Sequence, residues 1–344
     1  MTTGRSLARM LPVFALSVLL SFNALAQVDN PAQAQHEPTT QQLITMVDHN
    51  SELKKMLIES IENAKRDNPD KVTNPAQTLE EYYAFIDWAA KAMPWSILRD
   101  SPHPKLYDQI DQSLDYFYFI NDQPLPELSD KGYYNNSLQY HEPYRTWMIN
   151  FTREWGLYLS REESWKDEYY KKALEDERFG LSKGWYEDPS NWKTFNQFFA
   201  RYLKSPDQRP VASPDDPSVV SSPADSKPQG VWKIDENSDI VHGEGVAIKS
   251  RLFKSVAQLI GEGSAYRNAF ANGTLTHTFL DVNDYHRYHF PVGGTVKEVR
   301  IIQSDDAAGG ITTWDSSIKR YMLDANTPGW QMIETRGCVI LETR

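Results

Sequence analysis

The chain has 344 residues, a formal net charge of −11, 40% hydrophobic and 12% aromatic residues, and 20 prolines. The length exceeds one average domain, so two domains with real cores and substantial loops are expected. The acidic balance excludes the broad basic footprint that nucleic acid requires. It leaves open a local patch at a membrane surface and association with a second copy.

Residues 1–26 read as a secretory signal peptide. Arg5 and Arg9 are the basic start, Leu11 to Phe22 the apolar run, and Ala24-Leu25-Ala26 the cleavage site before Gln27. An apolar run of this size falls short of the ~20 residues that span a bilayer. The expectation is an exported protein, periplasmic or extracellular after cleavage. Residues 27–40, rich in Gln, Ala, Pro and Asn, are expected to be a flexible leader.

The pattern over 41–203 is helical. Leu43, Val47, Leu57 and Ile61 recur at helical spacings. Thr78-Leu79-Glu80-Glu81 reads as a capping box, opening a helix with Tyr82, Phe85, Ile86 and Ala89 on one side. Ser160-Arg161-Glu162-Glu163 and Thr194-Phe195-Asn196-Gln197 read as two more, the last leading into Phe198, Phe199 and Tyr202. Seven of the ten tryptophans fall between 88 and 192, which points to helix-bundle core. Residues 204–222 form a linker, since Pro206, Pro210, Pro214 and Pro217 interrupt a Ser/Asp-rich run.

Residues 223–344 change to a β-rich texture. Strands are expected at 231–234, 275–282, 296–302 and 339–341, with a helix over about 250–261. The single cysteine, Cys338, excludes an intramolecular disulfide and reads as a small buried hydrophobe in a strand. The fold class is α+β, a helical domain followed by a β-rich one.

The chemistry concentrates in Asp284-Tyr285-His286-Arg287-Tyr288-His289-Phe290-Pro291, where two of the chain's eight histidines lie three apart beside an acid. Histidine titrates nearest neutrality, so proton transfer is easiest to place here. In an unbroken strand, residues three apart face opposite ways, so His286 and His289 converge only if a bulge or turn follows Asp284. As metal ligands the pair lacks an obvious third member, though His277 or Asp284 could join; no metal is expected.

Together with Ser222-Pro223-Ala224-Asp225, Phe270-Ala271-Asn272-Gly273-Thr274 and Phe195-Asn196-Gln197-Phe198-Phe199-Ala200-Arg201-Tyr202-Leu203, this run resembles the phosphatidylserine decarboxylase family. The helical half more resembles the amino-terminal extension of the branch that includes amino-acid decarboxylases. The resemblance implies a carboxy-lyase of phospholipid biosynthesis. It would turn phosphatidylserine into phosphatidylethanolamine, or act on a free L-amino acid, through a Schiff base to a self-generated pyruvoyl group. It implies Asp225 as the acid and His289 as the base of the triad that makes this group, with His286 a proton donor after decarboxylation.

Two departures accompany it. Ser226 stands where the family usually has Gly. No terminal Gly-Ser processing site is present, and the one Gly-Ser pair, Gly263-Ser264, reads as a turn. The β-rich decarboxylase-like domain is therefore expected to be incomplete at its carboxy-terminus, with unpaired β edges and no pyruvoyl group in the chain as it stands. Two other readings compete: a non-catalytic exported relative acting as an interaction module, and a hydrolase reusing Asp225 and His289 with another serine. Arg287 is a candidate for a head-group phosphate by proximity alone.

Overall fold

The computed structural model describes residues 36–93, 112–128, 137–242, 246–248, 251–303, 311–324 and 334–343. The expected signal peptide and most of the expected leader lie outside them, as does Trp95. Helix α1 (Pro38–Asp48) opens inside the expected leader, with proline in its first turn and Thr39 and Thr40 buried. Helix α2 (Ser51–Asp67) is capped by Asn50, whose side chain accepts from the Leu53 amide, and ends on Lys65 and Arg66.

Thr78 caps α3 (Leu79–Ala89), accepting from the Glu81 amide, and Glu81 reaches back to the Gln77 amide. Helices α4 (Gln112–Asn121) and α5 (Tyr144–Tyr158) complete the main core. All four residues of the expected α1–α2 stripe, Leu43, Val47, Leu57 and Ile61, are buried there, and Tyr82, Phe85 and Ile86 join them. Trp147 belongs to this core and Trp88 packs against it.

The expected box at Ser160 opens no α-helix, only a single 3-10 turn, Glu162–Ser164, that no side chain caps. The Ser160 hydroxyl donates back to the Gly156 carbonyl, so this segment closes α5, and α6 begins at Asp167 (Asp167–Leu174). Thr194 does cap α7 (Phe195–Phe199). That helix stops short of Tyr202 because the chain turns to pair with 185–187: the Glu187 amide donates to the Tyr202 carbonyl and the Lys204 amide to the Trp185 carbonyl. A second core forms here around Phe179, Trp192, Phe195 and Phe198.

The β-rich part holds four antiparallel two-stranded sheets among the described residues. Strand β1 (Lys227–Lys233) pairs with β4 (Thr274–Phe279), and β2 (Val246–Ile248) with β3 (Arg251–Phe253). Strand β5 (Thr295–Ile302) pairs with β8 (Arg336–Glu342), and β6 (Ile311–Asp315) with β7 (Arg320–Asp324). The helix expected over 250–261 is only α8 (Val256–Ile260). Ser255 and Gln258 form a capping box that sets its start, and Leu252 pairs with Ala247 in the preceding hairpin instead.

The β6/β7 hairpin had no sequence signal strong enough to predict. It delivers Tyr321 into the α-helical core. A third small core gathers Ile234, Ile240, Val256, Ile260 and Ile340, with Cys338 against it. Among the described residues no helix is long and apolar enough to cross a membrane.

Candidate functional site

Strand β4 ends at Phe279, and the chain turns over Asp281–Asp284. The Asp284 amide donates to the Asp281 carbonyl at 2.9 Å, and the Asp281 amide donates to the Asp284 carboxylate at 2.8 Å. Burial holds that carboxyl above its ordinary range. Past the turn, residues 285–290 belong to no strand. The alternation that would separate the two histidines is thereby broken, and both His286 and His289 line one cavity of about 1,240 Å3. Phe279, Leu280, Phe290, Val292 and Leu341 give this cavity apolar walls.

The His286 ring lies on the Phe199 ring, with centroids 3.8 Å apart and planes 26° from parallel. Its Nε2 donates to the Asp281 carbonyl at 2.9 Å, which leaves Nδ1 with the lone pair in the neutral ring. The His289 amide donates to the Pro223 carbonyl at 2.7 Å. The His289 ring packs 5.6 Å from Tyr285, and its Nε2 is buried with no hydrogen-bond partner among the described residues. An imidazole nitrogen so placed is costly unless something comes to meet it.

The Asp225 segment runs alongside, since the Ser221 amide also donates to the Pro291 carbonyl at 2.8 Å. Its carboxylate is exposed and faces Arg209, with Oδ1 accepting from Nε at 3.1 Å and Nη2 at 2.9 Å. No hydrogen bond joins Asp225 to His289 among the described residues. Ser226 is not among the described residues with a positive φ, so a glycine is not needed there. Gly263-Ser264 is a turn with Ser264 fully buried, and neither residue lines the cavity.

Arg287 braces protein rather than facing the cavity. Its Nε donates to the Ala200 carbonyl at 2.8 Å, and its guanidinium sits 3.6 Å over the Tyr202 ring. His277 on β4, considered above only as a metal ligand, is a third imidazole in the cavity wall. Among the described residues no group of three His, Cys, Asp or Glu is placed to hold a metal ion. Burial also holds the Cys338 thiol above its ordinary range, as suits a packing residue.

Burial pushes the imidazoles of His286 and His277 below their ordinary value of 6.5. At His286 the Arg201 charge adds to this and the Asp281 carbonyl opposes it. The unfolded chain takes up these protons near 6.5, while the folded chain resists until a lower pH. The stability tied to the neutral rings is thus complete above pH 6.5 and is lost as pH falls towards and through the folded values. Asp284 acts in the opposite sense, but near the carboxylate range. The urea midpoint is expected to drop from about pH 7.5 to about pH 5.5, and to drop less in His277→Thr with His286→Asn. An equal drop in that double variant would assign the pH dependence elsewhere.

A family model for phosphatidylserine decarboxylase matches residues 195–343, the stretch from α7 through β8 that holds both histidines. The phosphatidylserine decarboxylase proenzyme of Alkalilimnicola ehrlichii is 35% identical over 119 residues, covering 35% of this chain and 38% of that one. Proenzyme 2 of Oryza sativa is 34% identical over 150 residues, covering 43% and 22%. The Escherichia coli proenzyme is 30% identical over 177 residues, covering 49% and 48%. The chain therefore spans less than half the length of these relatives. The cavity and its histidines lie in an α+β chain, within the segment that matches these decarboxylases. Residues 195–343 are thus similar to phosphatidylserine decarboxylases.

Proposed function

We propose that the protein is a carboxy-lyase acting on phosphatidylserine to give phosphatidylethanolamine and carbon dioxide. The observation that carries this reading is that His286 and His289 line one cavity, the His289 Nε2 being buried without a hydrogen-bond partner among the described residues. The apolar walls favour a lipid over a free amino acid, which would leave most of them uncovered. The relatives' printed description as proenzymes supports a maturation step.

The residues present fit a pyruvoyl group: the cavity has room, and His286 and His289 both stand in its wall. When bound, that group supplies an electron-accepting carbonyl for loss of carbon dioxide. In this reading His289 takes the proton from the hydroxyl that starts maturation, at Nε2. Asp225 is the acid that orients it, carried beside it by the 221–223 backbone and paired with Arg209. His286, whose protonated form gives up its proton readily, supplies the proton that replaces the carboxyl. Export goes with this reading on the strength of residues 1–26.

The test is the intact mass of the protein from its native source, with and without a carbonyl-trapping hydrazine. Two polypeptides are expected, one of them gaining hydrazone mass. A single polypeptide with no gain overturns the proposal and turns attention to an interaction role for the helical part.

A further inference from the structure

We propose that Arg201 is the positioning residue that sets His286 and His289 in register with one another; its catalytic part rests on the decarboxylase reading above. Arg201 is fully buried, the largest side chain among the described residues to be so. A buried guanidinium normally has a carboxylate beside it. Here none pairs with it among the described residues. Its Nη2 donates instead to the Asn283 carbonyl at 2.8 Å and the Asp284 carbonyl at 3.0 Å. Its Nε has no hydrogen-bond partner among the described residues.

A methionine would fill this volume without the cost of burying a charge. What a methionine cannot supply is the Nη2 amino group, whose two N–H bonds serve two consecutive carbonyls at the point where the Asp281–Asp284 turn hands over to the histidine segment. The remaining contacts lead to the two rings separately. Two residues upstream, Phe199 stacks on His286 at 3.8 Å. On the other side the guanidinium lies 4.5 Å over the Tyr186 ring, which packs 6.0 Å from Tyr285, which in turn packs 5.6 Å from His289. Both imidazoles are thus referred to one buried cation. Arg287, bonded to the Ala200 carbonyl, closes the same seam.

The charge contributes as well. Arg201 and the Asp281 carboxylate, on the turn preceding His286, are the charged groups bearing on that ring, and the cation disfavours a second positive charge there.

The test is imidazole and guanidinium NMR on this chain, which needs no activity. In the unaltered protein, slowly exchanging Arg201 guanidinium protons with through-bond coupling to the 283 and 284 carbonyls are expected, and upfield-shifted His286 ring protons. Their absence overturns the proposal whatever any variant does. In Arg201→Met the His286 protons should return downfield and its titration midpoint should rise. Arg201→Lys, which keeps the charge, should leave the midpoint low while the ring shift is partly lost.

In the active protein, Arg201→Met is expected to lower kcat by about 100-fold at little change in KM. The NMR signatures without any activity in the unaltered protein would uphold the positioning role and remove the decarboxylase reading. Activity in the unaltered protein, with Arg201→Met leaving kcat, ring shift and midpoint unchanged, would do the reverse.

Discussion

Tyr321→Ala is expected to destabilise the protein by about 3–5 kcal/mol, read from the urea midpoint at constant m-value. The side chain is 1% exposed, and its ring meets Tyr116, Phe119 and Trp314 at 4.8–5.3 Å. Its hydroxyl donates to the Thr73 carbonyl at 2.9 Å and accepts from Asn68 Nδ2 at 2.8 Å. Truncation opens a cavity between α2, α4 and the β6/β7 hairpin and strips both polar partners.

Tyr321→Phe keeps the ring and loses the hydroxyl, for about 1–2 kcal/mol, because Asn68 retains its contact with Thr73. The hairpin would still be held by Gln112, whose side-chain amide donates to the Tyr321 carbonyl and accepts from the Tyr321 amide. A loss under about 1 kcal/mol for Tyr321→Ala would mean that the hairpin does not dock on the helices.

The second large effect is chemical, and it follows from the proposed function. His289→Ala is expected to leave one polypeptide that gains no hydrazone mass, since the base that starts maturation is gone. His286→Ala is expected to mature and gain that mass, yet to decarboxylate about 100- to 10,000-fold more slowly, the usual range for a lost general acid. The two histidines therefore separate by readout. If His286→Ala also blocks maturation, the division of labour between the rings is wrong. If His289→Ala still matures, His289 is not the base.

Much of the helical part was legible because its signals are local. The stripe through Leu43, Val47, Leu57 and Ile61 is buried as its spacing requires, and Thr78 and Thr194 cap the helices they precede. Ser160 carries the same letters and does the opposite, because a serine near a helix end bonds backward as readily as forward. The strands at 227–233, 274–279, 295–302 and 336–342 overlap the runs at 231–234, 275–282, 296–302 and 339–341 that alternation and turn residues marked. The 250–261 helix was overextended because Leu252 fits either a helical stripe or the β2/β3 hairpin, and only the pairing partner decides.

At the site the sequence by itself determined the residue types: two histidines beside an acid, a Pro-Ala-Asp run, and an aromatic-rich segment ending in arginine. Whether those histidines share a face depended on the Asp281–Asp284 turn, and the orientation of each ring on Phe199 and Tyr285. The tertiary structure alone put Arg201 on carbonyls more than eighty residues away, turned Asp225 to Arg209, and carried Tyr321 into a core built from residues 43–151. The physical reason is one of range. Periodicity and capping report what a segment does with its own backbone. A buried cation, an unpartnered imidazole or a docked hairpin takes its meaning from groups that only the folded chain brings within reach.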